Sequence, residues 1–502
     1  MSVPAVLALD QGTTGSRCYV VARDGRILGR SYSEFEQHFP RPGWVEHDAL
    51  EIWEVTCRVA REALEEAREA DVRAIGITNQ RETVVLWDRA TLEPVGRAIV
   101  WQDRRTAALC RELAEAGHLE QVRARTGLLL DPYFSGTKIH WMLENRPELR
   151  ARAERGELAA GTIDSWLVAR LTDGAVHATD PTNASRTLLY NTFEGRWDDW
   201  ALDLLGVPRA LLPEVRPSAG DFGTASGAHL GVEAPVAGVA GDQQAALFGQ
   251  GCWSAGRAKN TYGTGAFLLL HTGSTPVPSR HGLLTTAACD ERGGAAYALE
   301  GSIFIAGAAI QWLRDGLGLL RAAPESAELA ASVEDHGGVY FVPAFVGLGA
   351  PHWEPEARGT IVGLTRGTRA AHLVRAALES MAYATADVLE AMEADSGVRA
   401  TELRVDGGAS LNDWLMRFQA GVLGIPVRRP ALVETTALGA AGLAGVAAGV
   451  WADGEEFLAA QGAPARFEPD MTRQHAAALR AGWDRAVRAA TSWARDGARG
   501  AG

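Results

Sequence analysis

Three stretches decide the reading of this chain: Leu7–Arg17 (LALDQGTTGSR), Gly238–Gly249 (GVAGDQQAALFG) and Leu403–Asp413 (LRVDGGASLND). Each opens with a short apolar run of strand character and closes in a glycine turn that carries hydroxyls or a carboxylate. A fourth, Asn260–Phe267 (NTYGTGAF), follows the second stretch closely and reads as a hairpin around glycine. Backbone N–H groups in such turns can point into a common cleft and cradle oxyanions without a lysine. Threonine hydroxyls add donors there, and an Asp at a strand end can organise Mg²⁺ through its waters.

The commoner nucleotide motifs are missing. Of 49 basic residues only Lys138 and Lys259 are lysine, and neither follows glycine in GxxxxGK[ST]. GTGAFL and GLGAPH lack the third glycine of a dinucleotide fingerprint. Asp221-Phe222-Gly223 spells the kinase DFG but has no Gly-rich loop, strand lysine or HRD loop upstream. Neither GxSxG nor HExxH occurs, and His140, His352 and the other histidines show no paired metal-ligand spacing.

Outward from these turns the chain alternates strands and amphipathic helices, an α/β pattern. Strands are expected at AVLALD, CYVVAR, RILGRSYSEF, AIGIT, TVVLWD and AIVWQD, with a helix from an Asp48 cap to Glu66 that presents Trp53, Ala60 and Leu64 on one face. Later helices are expected at IFIAGAAIQWLRDGL, HLVRAALESMAYATADVLEAM and NDWLMRFQAGVL. A chain of 502 residues implies at least two domains, and Pro and Gly cluster over 206–238. The boundary is placed near residue 250, giving units 1–250 and 251–502 of loosely similar plan. The uncharged run 436–452 falls short of a membrane span and reads as a buried helix.

A net charge of −13 argues against a nucleic-acid surface. The scattered cysteines, Cys18, Cys57, Cys110, Cys252 and Cys289, and an N-terminus without a basic n-region point to reduced thiols in the cytoplasm.

DQGTTGSR, TNQRET, WQDRR, DPYFSGTK, GDQQAALFGQ, NTYGTGAF, PAFVGLGAPHW, VDGGAS and TTALGAAGLAG, in this order and spacing, resemble the FGGY carbohydrate kinases from about residue 4 to 470. Together, NQRET, DPYFSGTK and GDQQAAL resemble the members that act on glycerol. The resemblance implies two actin-like ATPase domains with a ribonuclease-H-like core, closing on an interdomain cleft. It implies in-line transfer of the γ-phosphoryl group of Mg-ATP to glycerol, giving sn-glycerol 3-phosphate. Asp242 would be the general base, although a lone Asp after glycine is commonly just a turn former. Arg81, Glu82, Tyr133 and Gln243 would bind the hydroxyls of glycerol, with Trp101 and Phe267 against its carbons. Arg81 and Glu82 can face one ligand only at a strand end or irregular turn, since neighbours on a strand point apart.

Asp10 would place Mg²⁺, and Thr13, Thr14, Gly15 and Arg17 would meet the phosphates; many members have serine where this chain has Gly15. Thr264, Gly307, Gln311, Gly408 and Asn412 match the family's nucleotide contacts. Members are often dimers or tetramers, so a homo-oligomer is implied, without membrane insertion or nucleic acid. Two rivals stand beside this reading: a kinase for a ketose such as xylulose or ribulose, and an actin- or chaperone-like ATPase that acts on a protein partner. In some bacterial members a basic residue in the loop before GDQQ binds a sugar bisphosphate inhibitor, whereas His229–Gly241 (HLGVEAPVAGVAG) has no Arg or Lys. The expected outcome is that a sugar bisphosphate at physiological concentration leaves turnover unchanged in a steady-state assay; clear inhibition would contradict it.

Overall fold

Strand β1 (Val3–Gln11) is buried on both faces from Ala5 to Leu9, which requires a sheet covered on both sides. The computed structural model describes residues 2–500 and supplies such a sheet. β1 pairs antiparallel with β2 (Gly15–Ala22), which pairs antiparallel with β3 (Ile27–Glu34). On its other side β1 runs parallel to β4 (Ala70–Asn79). The edge strand β5 (Thr224–Ala225) borders β6 (Ala234–Gly241), which is parallel to β4.

The second half builds its sheet from β7 (Arg257–Tyr262), β8 (Ala266–Gly273), β9 (Leu284–Cys289), β10 (Ala295–Ile303), β11 (Glu402–Gly407), β12 (Val427–Arg429) and β13 (Ala465–Phe467). β7 pairs antiparallel with β8, and β8 antiparallel with β10. β7 is parallel to β11, and β11 to β12. The order β3-β2-β1-β4-β6 thus recurs as β10-β8-β7-β11-β12. The likeness of plan between the halves is one five-strand arrangement used twice. A smaller sheet joins Glu46–His47, Ala98–Ile99, Val84–Asp88 and Leu158–Thr162.

The helices that matter here are α1 (Ala49–Glu66), α2 (Ser135–Glu144), α3 (Asp242–Gly249), α4 (Gly307–Asp315), α5 (Ala370–Ser396), α6 (Asp413–Leu423) and α7 (Thr435–Ala447). The Asp48 side chain caps α1 by accepting from Leu50 N and Glu51 N, and Trp53 and Ala60 are buried against the first sheet. Two expectations need correction. Ile303 opens no helix: it pairs with Ala266 as the last residue of β10, and α4 starts at Gly307. Of AIVWQD only Ala98–Ile99 is strand, because the Asp103 carboxylate accepts from Val45 N and Arg105 and turns the chain there.

The uncharged run is α7 and the loop that follows it. Although α7 lies late in the sequence, it packs on the first sheet, with Ala437, Leu438, Ala441, Leu443 and Ala444 in one cluster with Val6, Ala8 and Phe248. Glycine permits this approach: a Cβ on Gly439 would lie 1.8 Å from the Ala245 carbonyl oxygen, and one on Gly76 would lie 2.1 Å from that of Ala440. Among the described residues no helix is long and apolar enough to cross a membrane, and all five cysteines are buried and free. Gly439→Val should destabilise the protein by about 3 kcal/mol, since neither backbone can yield. A thermal melt within 2 °C of the unmodified protein would show the contact to be soft.

Candidate active site

The glycine turns gather at the carboxyl ends of the parallel strands, the usual ligand position of open α/β sheets. β1 delivers Asp10 and the turn to Gly15, β4 leads into Arg81 and Glu82, and β6 ends at Gly241, directly before Asp242. From the second sheet β7 ends before Gly263–Thr264, and β11 ends at Gly407–Gly408.

Arg81 and Glu82 leave β4 in an irregular bend in which Glu82 has φ +61°. That left-handed turn lets neighbouring side chains enter one polar cluster, although the conformation is unfavourable for a non-glycine residue. Both are buried. Arg81 donates to Glu300 on β10 at 2.5 and 3.0 Å, and Arg186 donates to Glu82 at 2.6 Å and to Glu300 at 3.1 Å. Burial alone would raise the Glu300 carboxyl, but Arg186 and Arg81 hold it down to about 2. Glu82 goes the other way: burial raises it, and Arg186 and Arg81 offset that only in part. Removing Glu300 would leave two guanidiniums short of a buried counter-charge, at a cost of about 3–5 kcal/mol.

Asp242 is the first residue of α3 and is one-third exposed. Its Oδ1 lies 3.1 Å from Arg81 Nε and accepts from Gln243 N at 2.7 Å, while Oδ2 has no protein partner among the described residues. Gln243 is buried, and its Oε1 accepts from Lys259 at 2.5 Å. Trp101 Nε1 donates to Thr13 Oγ1 at 2.9 Å, and its ring meets that of Tyr133 edge-on at 5.6 Å. The turn after β1 and the Trp101–Tyr133 pair are therefore one unit. Phe267 stands on β8, half-buried, paired across the sheet with Thr261 and Ser302 and without a ring contact to Trp101 or Tyr133.

Burial pushes the Asp10 carboxyl up to about 6; Arg17, at 3.8 Å, opposes this and nearby Asp242 adds to it. A carboxylate so placed would gain from a cation, and one carboxylate with water and phosphate oxygens suits Mg²⁺. Thr14 is exposed and Arg17 half-buried over the Tyr32 ring. Gly15 has no room for a side chain, because a Cβ would lie 2.6 Å from Ser33 O and 2.8 Å from that ring.

On the second sheet, Ala306 N and Ala308 N donate to Thr264 O at 2.8 and 3.1 Å, so Thr264, Gly307 and the exposed Gln311 share one patch at the start of α4. Asn412 caps α6 by accepting from Leu415 N. Gly408 is exposed, with nothing within 4 Å of a Cβ placed on it. β7 and β11 are neighbours in the sheet, so the two patches stand at the ends of adjacent strands.

Sequence reasoning missed Glu300, Arg186, Lys138 and Lys259 as parts of the site. Only Glu300 carried a local signal, as the one charge in an otherwise apolar strand, AAYALEGSI.

Two family models match the chain: the N-terminal domain of the FGGY family of carbohydrate kinases over residues 5–249, and its C-terminal domain over 258–448. The glycerol kinase of Dechloromonas aromatica is 57% identical over 97% of this chain and 98% of its own length. That of Trichlorobacter lovleyi is 58% identical over 97% and 99%. The crystal structure of Plasmodium falciparum glycerol kinase with ADP superposes with a TM-score of 0.93 at 34% identity, covering 97% of this chain and 98% of that one. Xylulose kinase from Lactobacillus acidophilus, at 19% identity and a TM-score of 0.87 over 98% and 99%, shares the fold alone. This chain belongs to the FGGY family of carbohydrate kinases.

Proposed function

We propose that this protein phosphorylates glycerol with ATP to give sn-glycerol 3-phosphate. The observation that carries the proposal is the Asp242 carboxylate: Arg81 and Gln243 N engage Oδ1, which leaves Oδ2 of this one-third exposed side chain available as a proton acceptor beside the buried charges of Arg81 and Glu300. Phosphoryl transfer depends mainly on positioning and charge neutralisation, with a carboxylate orienting the nucleophile. Asp242 accepts the proton of the attacking hydroxyl. Arg81 donates to the hydroxyls, Glu82 accepts from them, and Tyr133 and Gln243 complete the set. Trp101 and Phe267 cover the carbons.

ATP supplies the γ-phosphoryl group. Thr13, Thr14, the Gly15 amide and Arg17 receive its phosphates from one side. Thr264, Gly307, Gln311, Gly408 and Asn412 receive the nucleotide from the other, so the division of labour falls near residue 250. Asp10 would hold Mg²⁺ through water; the ion supplies charge neutralisation at the phosphates. Dependence on ATP fits a cytoplasmic enzyme, and the family's habit suggests a dimer or tetramer.

Asp242→Asn should lower kcat by roughly 10²–10⁴-fold with ADP affinity, read by calorimetry, unchanged; near-normal turnover removes Asp242 from the role. In an assay of ADP release with glycerol, dihydroxyacetone, xylulose, ribulose or no acceptor, glycerol should give the highest kcat/KM. Propane-1,2-diol should fall behind it by roughly 10⁴-fold, because a site built to bond a hydroxyl rejects an analogue without one. A ketose in first place would overturn the acceptor assignment and leave the nucleotide site standing.

A further inference from the structure

Arginine serves nearly every cationic position of this chain, yet Lys138 and Lys259 remain lysine. Both are fully buried, and each gives its hydrogens to uncharged acceptors at the acceptor pocket. Lys138, on α2, donates to Tyr133 O at 2.6 Å and to Glu82 O at 3.1 Å. Ser135 Oγ donates to the same Glu82 carbonyl at 3.1 Å. The backbone of the residue with positive φ is therefore clamped from two sides, next to the carbonyl of the tyrosine that shares its pocket. Lys259, on β7, donates to Gln243 Oε1 at 2.5 Å and Thr261 Oγ1 at 2.7 Å. A lysine ammonium has no acceptor, so this bond fixes the amide oxygen toward Lys259 and sends the Gln243 NH₂ elsewhere.

A guanidinium fits neither place. It is a wide planar fork with five N–H donors, and in an enclosed space with two acceptors most of those donors would be buried unpaired. The compact ammonium meets both acceptors and fills no more room.

We propose that Lys138 and Lys259 are positioning residues that set the hydrogen-bond polarity of the acceptor pocket. Lys138 keeps Arg81 and Glu82 in the bend that turns both side chains inward. Lys259 presents Gln243 to the acceptor as a donor. This rests on the reading of the pocket as a polyol site.

The test uses the full-length enzyme with Lys138→Met, Lys138→Arg, Lys259→Met and Lys259→Arg, each followed by steady-state kinetics in acceptor and ATP, ADP calorimetry and thermal melting. The KM for glycerol should rise at least tenfold in all four, while the Kd for ADP stays within twofold. Lys259→Met should also narrow the preference for glycerol over propane-1,2-diol by at least tenfold. Should any of these not fold, Ser135→Ala and Thr261→Val remove the companion contacts and should give the same split at several-fold amplitude. An arginine variant with an unmodified acceptor KM overturns the proposal. So does a rise in ADP Kd in step with acceptor KM, which would mark loosened packing or a phosphate contact by Lys259. The polyol reading is tested separately by the unmodified enzyme: if it prefers a ketose, the variants are measured on that ketose and the same split decides.

Discussion

One carboxylate, Glu300, holds the acceptor site together. It comes from the second sheet and takes hydrogen bonds from Arg81 and Arg186, both from the first half. The same edge of the second sheet is tied to the first half through Thr285 N to Gly127 O and Ala287 N to Ser185 Oγ. The floor of the cleft is thus a fixed joint between the halves. Arg81, held there by Glu300, in turn holds Asp242 Oδ1, so the orientation of the Asp242 carboxylate follows from an ion pair across the two sheets.

The sequence made some of this legible and hid the rest for physical reasons. Strand ends and turn chemistry are local, so the Asp48 cap and the glycine turns after β1, β6 and β11 could be read from their neighbours, whereas roles for Asp10, Gly15 and Asp242 came only with the family resemblance. For Arg81 and Glu82 the period of a strand supplied a condition, that adjacent charges converge only where the strand breaks, and Glu82 breaks it. Glu300 and Arg186 lie 114 residues apart and far from the motifs; their pairing depends on how two sheets meet, which no local pattern encodes. Ile303 was misread because an apolar stretch followed by alanines satisfies a helix until the sheet claims its first residue.

Burial acts in opposite directions on different members of the site. Glu300, with two guanidiniums, stays charged in a dry surrounding, while Asp10, with one distant guanidinium, is pushed toward its neutral form. The first group is a fixed structural charge. The second is short of a counter-charge, at the point where nucleotide and metal would bring one.

Helix α7 connects these two regions. The Thr435 hydroxyl at its start bonds Asp406, which precedes the Gly407–Gly408 turn of the nucleotide side. Its flank lies backbone to backbone on β4 and β6, whose ends carry Arg81, Glu82 and Asp242. A helix seated backbone to backbone along its flank neither slides nor turns on the sheet beneath it, so α7 belongs mechanically to the first half. Through Thr435 it carries a fixed point of the first half across to the turn that follows β11.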